Sequence, residues 1–276
     1  MIQFSSCKIN LGLQVLYRRT DGFHELDSLF VEVPWYDALE AVPANEDQWH
    51  FHGIPIPSAL EDNLCFKAVS LFTDKVGAKV PYAYHVLKNL PMGAGLGGGS
   101  ANAAHMLHLL NNLYSNPLDK SALLELAQKI GSDCSFFIEG GMARVRGRGE
   151  QIEMIMPKLK QKVYIQLLWP GYGISTAEAY RKVKPNASPT PLDELMEVPD
   201  RWANELKNDF EDALFPDYPE LAKWKEYFYQ KGAFYSAMSG SGSTIFGLFY
   251  ENPKSIDNVP KGGMTYTTLL PAISAL

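Results

Sequence analysis

The chain has 276 residues, 46% of them hydrophobic and 20% charged, with a formal net charge of −6. That length suits one large domain or two lobes with ample core, and the charge disfavours a general nucleic-acid surface while leaving room for an anionic small ligand held by local donors. No apolar run reaches the roughly 18 residues that span a bilayer, MIQFSSCKINLGL is not a signal peptide, and Cys7, Cys65 and Cys134 are far apart with no CxxC, so the expectation is a reducing cytoplasm without a disulfide frame or zinc knuckle.

Residues 2–17 alternate loosely and predict a strand, Asp21-Gly22 is a turn signal, and 26–33 predicts the returning strand. The polar stretch 45–60, with two prolines, reads as a strand and loop. Leu64, Ala68, Leu71, Phe72 and Val76 keep helical spacing across 61–77. YAYHVLKNL (82–90) is strand-like and runs straight into a glycine-rich stretch. A helix follows over 100–113 with Ala103, Met106, Leu107, Leu110 and Leu113 on one face, and another over 120–130 stops at Gly131. GGMARVRGRGE (140–150) reads as a strand bounded by glycines. The pattern changes after Pro157: a strand at 162–170, a helix beginning in TAEAYRKV, a polar proline-rich segment at 184–200, a helix at 219–231, and a small-residue turn feeding an apolar strand over 236–250. No internal repeat appears. The expected organisation is two α+β lobes joined near 152–160, with domains 1–153 and 154–276.

The stretch LPMGAGLGGGSANAAHMLHLL (90–110) packs five glycines between Gly93 and Gly99 and then turns helical. A flexible linker would not sit so tightly between a strand and an amphipathic helix. Gly93, Gly95 and Gly98 satisfy GxGxxG, but a dinucleotide fingerprint wants a second strand after the helix, and PLDKSALLELAQKI is another helix. A phosphate loop fits better: successive small residues make a concavity of backbone N–H groups at a helix N-terminus. It is not a Walker A loop, which would need lysine where Gly99 stands. Ser100 can cap the helix or offer its hydroxyl to phosphate or Mg²⁺.

Other chemistry-bearing residues have two readings each. Ser132 or Asp133 can cap a short helix, and an ionised Asp133 beside a hydroxyl can act as a base. Alternation puts Lys8 and Asn10 on one strand face and Ile9 and Leu11 on the other; Lys8 is either an edge charge or a partner for a developing phosphoryl charge. Phe23 and His24 pack a hairpin or stack on a planar base. His105 and His108 have no partner at ligand spacing, so zinc is not expected. Arg144, Arg146 and Arg148 alternate and predict a solvated face, with a substrate phosphate as the other reading.

Taken together, LPMGAGLGGGSANAA, KINLGLQVLYRRTDGFHELDSLF, IGSDCSFFIEGG and MSGSGSTIFGLF resemble the galactokinase, homoserine kinase, mevalonate kinase and phosphomevalonate kinase superfamily. The set is most similar to its branch acting on a small-molecule cytidyl diphosphate substrate, the methylerythritol ester of non-mevalonate isoprenoid synthesis. The resemblance runs from the first strand to about residue 250. It implies a two-lobed α+β small-molecule kinase, with an N-terminal domain like ribosomal protein S5 and a C-terminal ferredoxin-like α/β domain, and an active site in the cleft between. It implies ATP and Mg²⁺ as cofactors, a monomer or homodimer in the cytoplasm, and no nucleic-acid or membrane partner. By resemblance the catalytic pair is Lys8 and Asp133. The nucleotide falls to Asn63, Lys88, Pro91, Met92, Gly93, Ala94, Gly95, Leu96, Gly97, Gly98, Gly99, Ser100, Ala101, Asn102, Ala103 and Gly240, with Ser100 also toward the metal. The acceptor falls to Asn10, Phe23, His24, Thr176 and Tyr180, cytosine lying between Phe23 and Tyr180 with His24 reading its edge. The chain departs from the pattern in having Phe23 where tyrosine is common, MSGSGST in the last motif, and no obvious second carboxylate for Mg²⁺.

Overall fold

A computed structural model of the chain describes residues 1–56, 59–77, 80–155, 159, 161–186, 189–196 and 198–273. They divide into two compact units: Met1–Cys7, Trp35–Met92 and Gly97–Gly140 in the first, and Lys8–Pro34, Gly93–Leu96 and Gly141–Leu276 in the second. The pattern change expected at Pro157, and part of the junction near 152–160, lie outside the described residues. No described helix is long and apolar enough to cross a membrane.

In the first unit, the start of β1 (Ile2–Arg18) and the end of β2 (His24–Pro43) join β3 (Gln48–Gly53) and β4 (Tyr82–Lys88). Residues 38–43 of β2 run antiparallel to β4, and β3 pairs parallel to β4 at the sheet edge. Tyr82, Tyr84 and Val86 of β4 are buried, whereas Ala83, His85 and Leu87 on the opposite face are not. The helices are α1 (Leu64–Val76), α2 (Gly98–Leu113), α3 (Lys120–Ile130) and α4 (Cys134–Glu139). Asn63 heads α1 and accepts the Cys65 N–H at 2.9 Å, and Asp119 heads α3 and accepts the Ala122 N–H at 2.8 Å; each satisfies a donor the helix cannot. α2 packs against α1, α3 and α4. Ala101, Ala103, Ala104, Met106, Leu107, Leu109 and Leu110 are all fully buried, so α2 is apolar well beyond the single face its periodicity suggested.

The second unit holds the hairpin β5 (Met142–Gly147) and β6 (Gln151–Met154), built on residues 26–31 of β2. It also holds β7 (Tyr164–Trp169), β8 (Tyr235–Met238), β9 (Ile245–Phe249) and β10 (Met264–Leu269), an antiparallel sheet in the order β10-β7-β9-β8. This is the order of a ferredoxin-like sheet, with strands one to four arranged 4-1-3-2. Its helices are α5 (Thr176–Lys182), α6 (Leu192–Met196), α7 (Trp202–Glu205), α8 (Asp209–Leu214) and α9 (Pro219–Gln230). Leu168, Phe210, Leu214, Phe228 and Ile245 lie in one buried cluster.

Several elements differ from expectation. β2 runs on to Pro43 and does not end at 33, because Pro34 falls between its two ladders, 26–31 with β5 and 38–43 with β4, where no bond to either strand is required of it. The strand expected over 140–150 is shorter, ending at Gly147, whose φ is +72°; 148–150 form a turn that leads into β6. The polar segment 184–200 contains α6. β1 is buried on both faces from Ser5 to Val15, so its alternation separates no solvent side.

Candidate active site

Within the second unit, Gly93–Leu96 is held by its carbonyls. Ala94 O accepts the Thr244 N–H at 3.2 Å, Gly95 O the Ser239 hydroxyl at 2.8 Å, and Leu96 O the Lys8 N–H at 3.0 Å. A trans peptide sets each N–H opposite the carbonyl it shares. The N–H groups of Gly95, Leu96 and Gly97 therefore face away from those three donors, an arrangement suited to an anion. The side chains of Ala94 and Leu96 are buried and fasten the loop from below. Gly95 has φ +76°, and a Cβ there would collide with the Ser239 carbonyl, whose carbon would lie 2.9 Å away. Gly97, left-handed at φ +68°, heads α2, which starts two residues earlier than expected.

The loop residues do not all share one role. Gly93 and Gly99 are exposed, Met92, Gly95, Gly97, Gly98 and Ser100 are half-buried, and Pro91 is buried and has no N–H to offer. At Ala101, Asn102 and Ala103, also expected toward the nucleotide, the structure shows interior contacts. The Ala101 N–H is spent on Gly97 O at 2.9 Å, Ala101 and Ala103 are fully buried, and Asn102 Oδ1 accepts the Ser5 hydroxyl at 2.9 Å. The intrahelical bonds of α2 thus begin at Ala101, leaving the N–H groups of Gly98, Gly99 and Ser100 in its first turn.

Lys8 is 4% exposed and so is no edge charge. Its Nζ donates to Asn10 Oδ1 at 2.6 Å and stands 4.5 Å from the Phe30 ring centroid. Asn10 Nδ2 donates to the Ser28 hydroxyl at 2.9 Å, which donates to Gly12 O at 2.5 Å. Asn10 thus aims Lys8. Gly240 is buried at φ +55°, and a Cβ built there would lie 3.1 Å from Gly95 O and 3.5 Å from Asn10 Oδ1. Asn208, which the motifs did not flag, donates from Nδ2 to Met238 O at 2.7 Å and Gly240 O at 2.8 Å, fixing the turn that grips Gly95.

In the first unit, Ser100 on the first turn of α2 hydrogen-bonds the Cys134 thiol. Burial raises that thiol to about 12, so it stays protonated. Asp133 immediately precedes Cys134 and heads α4, but its side chain makes no capping bond to that helix. The start of α2 and the Asp133 turn are therefore neighbours within this unit. Lys88, 3% exposed, pairs its Nζ with Asp37, which also accepts the N–H groups of Asn89 and Leu90, each at 2.7 Å. A Cβ on Gly98 would come within 3.0 Å of Lys88 Nζ, so this buried ion pair sits against the first residue of α2. Asn63 caps α1 through its side-chain oxygen.

The expected base-stacking residues share the second unit. The rings of His24 and Tyr180 stack at 5.1 Å and 22°, so one face of Tyr180 carries His24. Phe23 is 55% exposed, with the Arg148 guanidinium 4.9 Å from its centroid. Burial, with a smaller contribution from Arg18, lowers the pKa of His24 below its ordinary 6.5. Thr176 and Tyr180 lie one turn apart on α5, and the Thr176 hydroxyl is 3.2 Å from that of Ser241. Arg144 departs from the solvated face expected of it: it grips Asp27 with two bonds of 2.8 and 2.6 Å and also pairs with Asp193. Among the described residues no three His, Cys, Asp or Glu converge on one point. The Ser100 hydroxyl lies on the first turn of α2, and Asp133 immediately precedes its partner Cys134; oxygen donors of this kind suit a Mg²⁺ ion carried mainly by nucleotide phosphates.

The models for the GHMP kinase N-terminal and C-terminal domains match residues 63–141 and 194–260. A 4-diphosphocytidyl-2-C-methyl-D-erythritol kinase of Cytophaga hutchinsonii is 40% identical over 92% of this chain and 94% of its own. Its counterpart in Porphyromonas gingivalis is 42% identical over the same shares. The chain belongs to the 4-diphosphocytidyl-2-C-methyl-D-erythritol kinase family of the GHMP kinases. A solved 4-(cytidine 5'-diphospho)-2C-methyl-D-erythritol kinase superposes with a TM-score of 0.77 at 35% identity, each chain covered to 90%. A homoserine kinase from Cytophaga hutchinsonii shares the fold, with a TM-score of 0.72 at 15% identity over 98% of this chain and 95% of that one. As a member of this family the chain is an ATP-dependent kinase.

Two stability measurements check these contacts. Gly95→Ala is expected to cost more than about 2 kcal/mol in urea denaturation, since it adds a left-handed backbone penalty to the collision at Ser239. Gly99→Ala, helical and with its nearest neighbour 3.9 Å away, is expected to be neutral or slightly stabilising. Asp37→Ala strands the buried Lys88 ammonium and is expected to cost about 3–5 kcal/mol in the same assay.

Proposed function

We propose that this kinase transfers the γ-phosphoryl of ATP to the 2-hydroxyl of 4-diphosphocytidyl-2-C-methyl-D-erythritol, giving the 2-phosphate and ADP for non-mevalonate isoprenoid synthesis. The observation that carries the choice of acceptor is the grouping of His24, Tyr180 and Phe23 in the unit that also supplies Lys8. A pyrimidine stacks on Phe23, whose ring is steadied by Arg148. His24, oriented by its stack on Tyr180, reads the base edge. A neutral imidazole offers one donor and one acceptor, which matches the mixed edge of cytosine and which an imidazolium does not.

Phosphoryl transfer asks the protein mainly for positioning and charge neutralisation. The N–H groups at Gly95, Leu96 and Gly97 and the first turn of α2 hold the triphosphate. Lys8, aimed by Asn10, offsets charge on the phosphoryl group in flight. Asp133 orients the acceptor hydroxyl and takes its proton as the new O–P bond forms and the bond to the β-phosphate oxygen breaks. Ser100 and Asp133 are the protein oxygens that would hold Mg²⁺, which neutralises phosphate charge when bound.

Asp133→Asn is expected to lower kcat at least about 100-fold, followed as ADP release on the cytidyl substrate; turnover equal to the parent would remove the proposed base. The pH profile tests His24 separately. Its pKa lies below 6.5, so it stays neutral through neutral pH and gains a proton only on the acid side. The KM for the cytidyl substrate is therefore expected to be flat from pH 8 down to about 6.5 and to rise below that, with the rise lost in His24→Gln.

A further inference from the structure

Half of the six histidines of the chain lie together, away from the site described above, on the uncovered face at the edge of the first unit's sheet. His50 and His52 are two apart on the edge strand β3, so both point to the same face. His50 is directly opposite His85 of β4, and His85 is opposite Glu40 of β2. His50 and His52 are exposed, and His85 and Glu40 are half-buried. The His50 ring stacks on His85 at 4.6 Å, and the His52 ring lies 5.7 Å from it, nearly parallel.

The decisive distance is between ring nitrogens: His52 Nε2 and His85 Nδ1 are 3.4 Å apart. Two imidazole nitrogens bound to one tetrahedral Zn²⁺ at 2.0–2.1 Å stand about 3.3–3.4 Å apart, the edge of that tetrahedron. We propose that His52 and His85 form a transition-metal site for Zn²⁺ on this sheet face, with His50 as the third donor. Two nitrogens are already at chelating separation. As the side chains stand, no three groups converge, so His50 reaches the ion by rotating off the face of His85, and water completes the shell. Each ring ligates through a nitrogen that carries no proton, so an N–H at the His52–His85 contact moves to the other nitrogen of its ring on binding. Nitrogen ligands favour Zn²⁺ over Mg²⁺, which takes oxygen, so the site does not compete for the metal of phosphoryl transfer. The three cysteines are buried and offer no rival thiolate.

The site would clip the edge strand. Among the described residues β3 pairs only with β4, and the ion would bridge side chains from both, replacing the weak His52–His85 contact with a coordinate link. Titration of the metal-stripped full chain with Zn²⁺ at pH 7.5, by calorimetry and by thermal melting, tests this. The expected result is one Zn²⁺ per chain and a melting temperature that rises with zinc. His52→Gln or His85→Gln should weaken binding at least about tenfold, whereas His105→Gln should leave it unchanged. Each variant is melted without zinc first, to confirm that it folds as the parent does. Absence of zinc binding in the parent, or binding undiminished when His52 and His85 are both replaced, overturns the proposal.

Discussion

The hydrogen bond from the Lys8 amide to the Leu96 carbonyl joins the first strand to the phosphate loop. It makes one residue responsible for two things. The main chain of Lys8 fixes the loop, and its side chain, held by Asn10 and through it by Ser28, carries the charge. The register of β1 therefore sets both at once. Slipping the strand by one residue would replace Lys8 with Ile9 and turn the ammonium to the other face. Loop and cation would be lost together. This constraint also explains how a segment with five glycines stays ordered. Each glycine carries an entropic cost of roughly 0.5–1 kcal/mol relative to alanine. The three carbonyl bonds at Ala94, Gly95 and Leu96, each worth about 1 kcal/mol net, offset a comparable amount.

A chain of net charge −6 must hold polyphosphate without a basic surface. It does so with donors that bring little full charge. Backbone N–H groups and a helix N-terminus supply partial charges already fixed in place. The buried ammonium nearest that helix start is balanced: Lys88 is paired with Asp37, and Asp37 is itself held by two main-chain N–H groups. The pair brings a cation to Gly98 without leaving an uncompensated charge in the interior. Glu211 follows the same logic in the second unit, where burial raises its pKa, Lys225 opposes the rise at 2.5 Å, and Met238 N–H bonds the other carboxylate oxygen at 2.7 Å. Both buried carboxylates spend an oxygen on main chain, so each fixes a turn as well as balancing a charge.

What could be read from the sequence was local. The helices α1 and α3 were legible in the sequence, whereas their caps, Asn63 and Asp119, emerged only from the structure. The glycine loop was legible because its composition has few other uses. The long strand β2 was not, since Pro34 looks like an end unless one knows that two partners divide the strand on either side of it. The motif suggested phosphate contacts as far as Ala103, because a run of small residues does not show where the intrahelical bonds begin to consume the N–H groups. Ser239, Asn208 and Asp37 were invisible for a different reason. Their bonds span 144, 30 and 51 residues, and no local pattern marks a side chain whose partner is that distant. The arginines show the same limit: Arg144 and Arg146 alternate on β5, Arg148 falls in the turn beyond it, and Arg144 is bound to Asp27 from a strand 117 residues away in sequence.

Within the second unit, phosphate holding and acceptor choice rest on different segments, yet they are physically joined. The loop at Gly95 is gripped by the turn that begins at Ser239, and that turn is fixed from behind by Asn208. One residue further on, Gly240 and then Ser241 follow, and the Ser241 hydroxyl meets Thr176 at 3.2 Å. Thr176 opens α5, whose next turn presents Tyr180 to His24. The stacked pair is thus joined to the turn that grips Gly95 through one short helix and one hydroxyl contact. The segments that would hold phosphate and acceptor are far apart in sequence but share one continuous set of packed backbone within this unit.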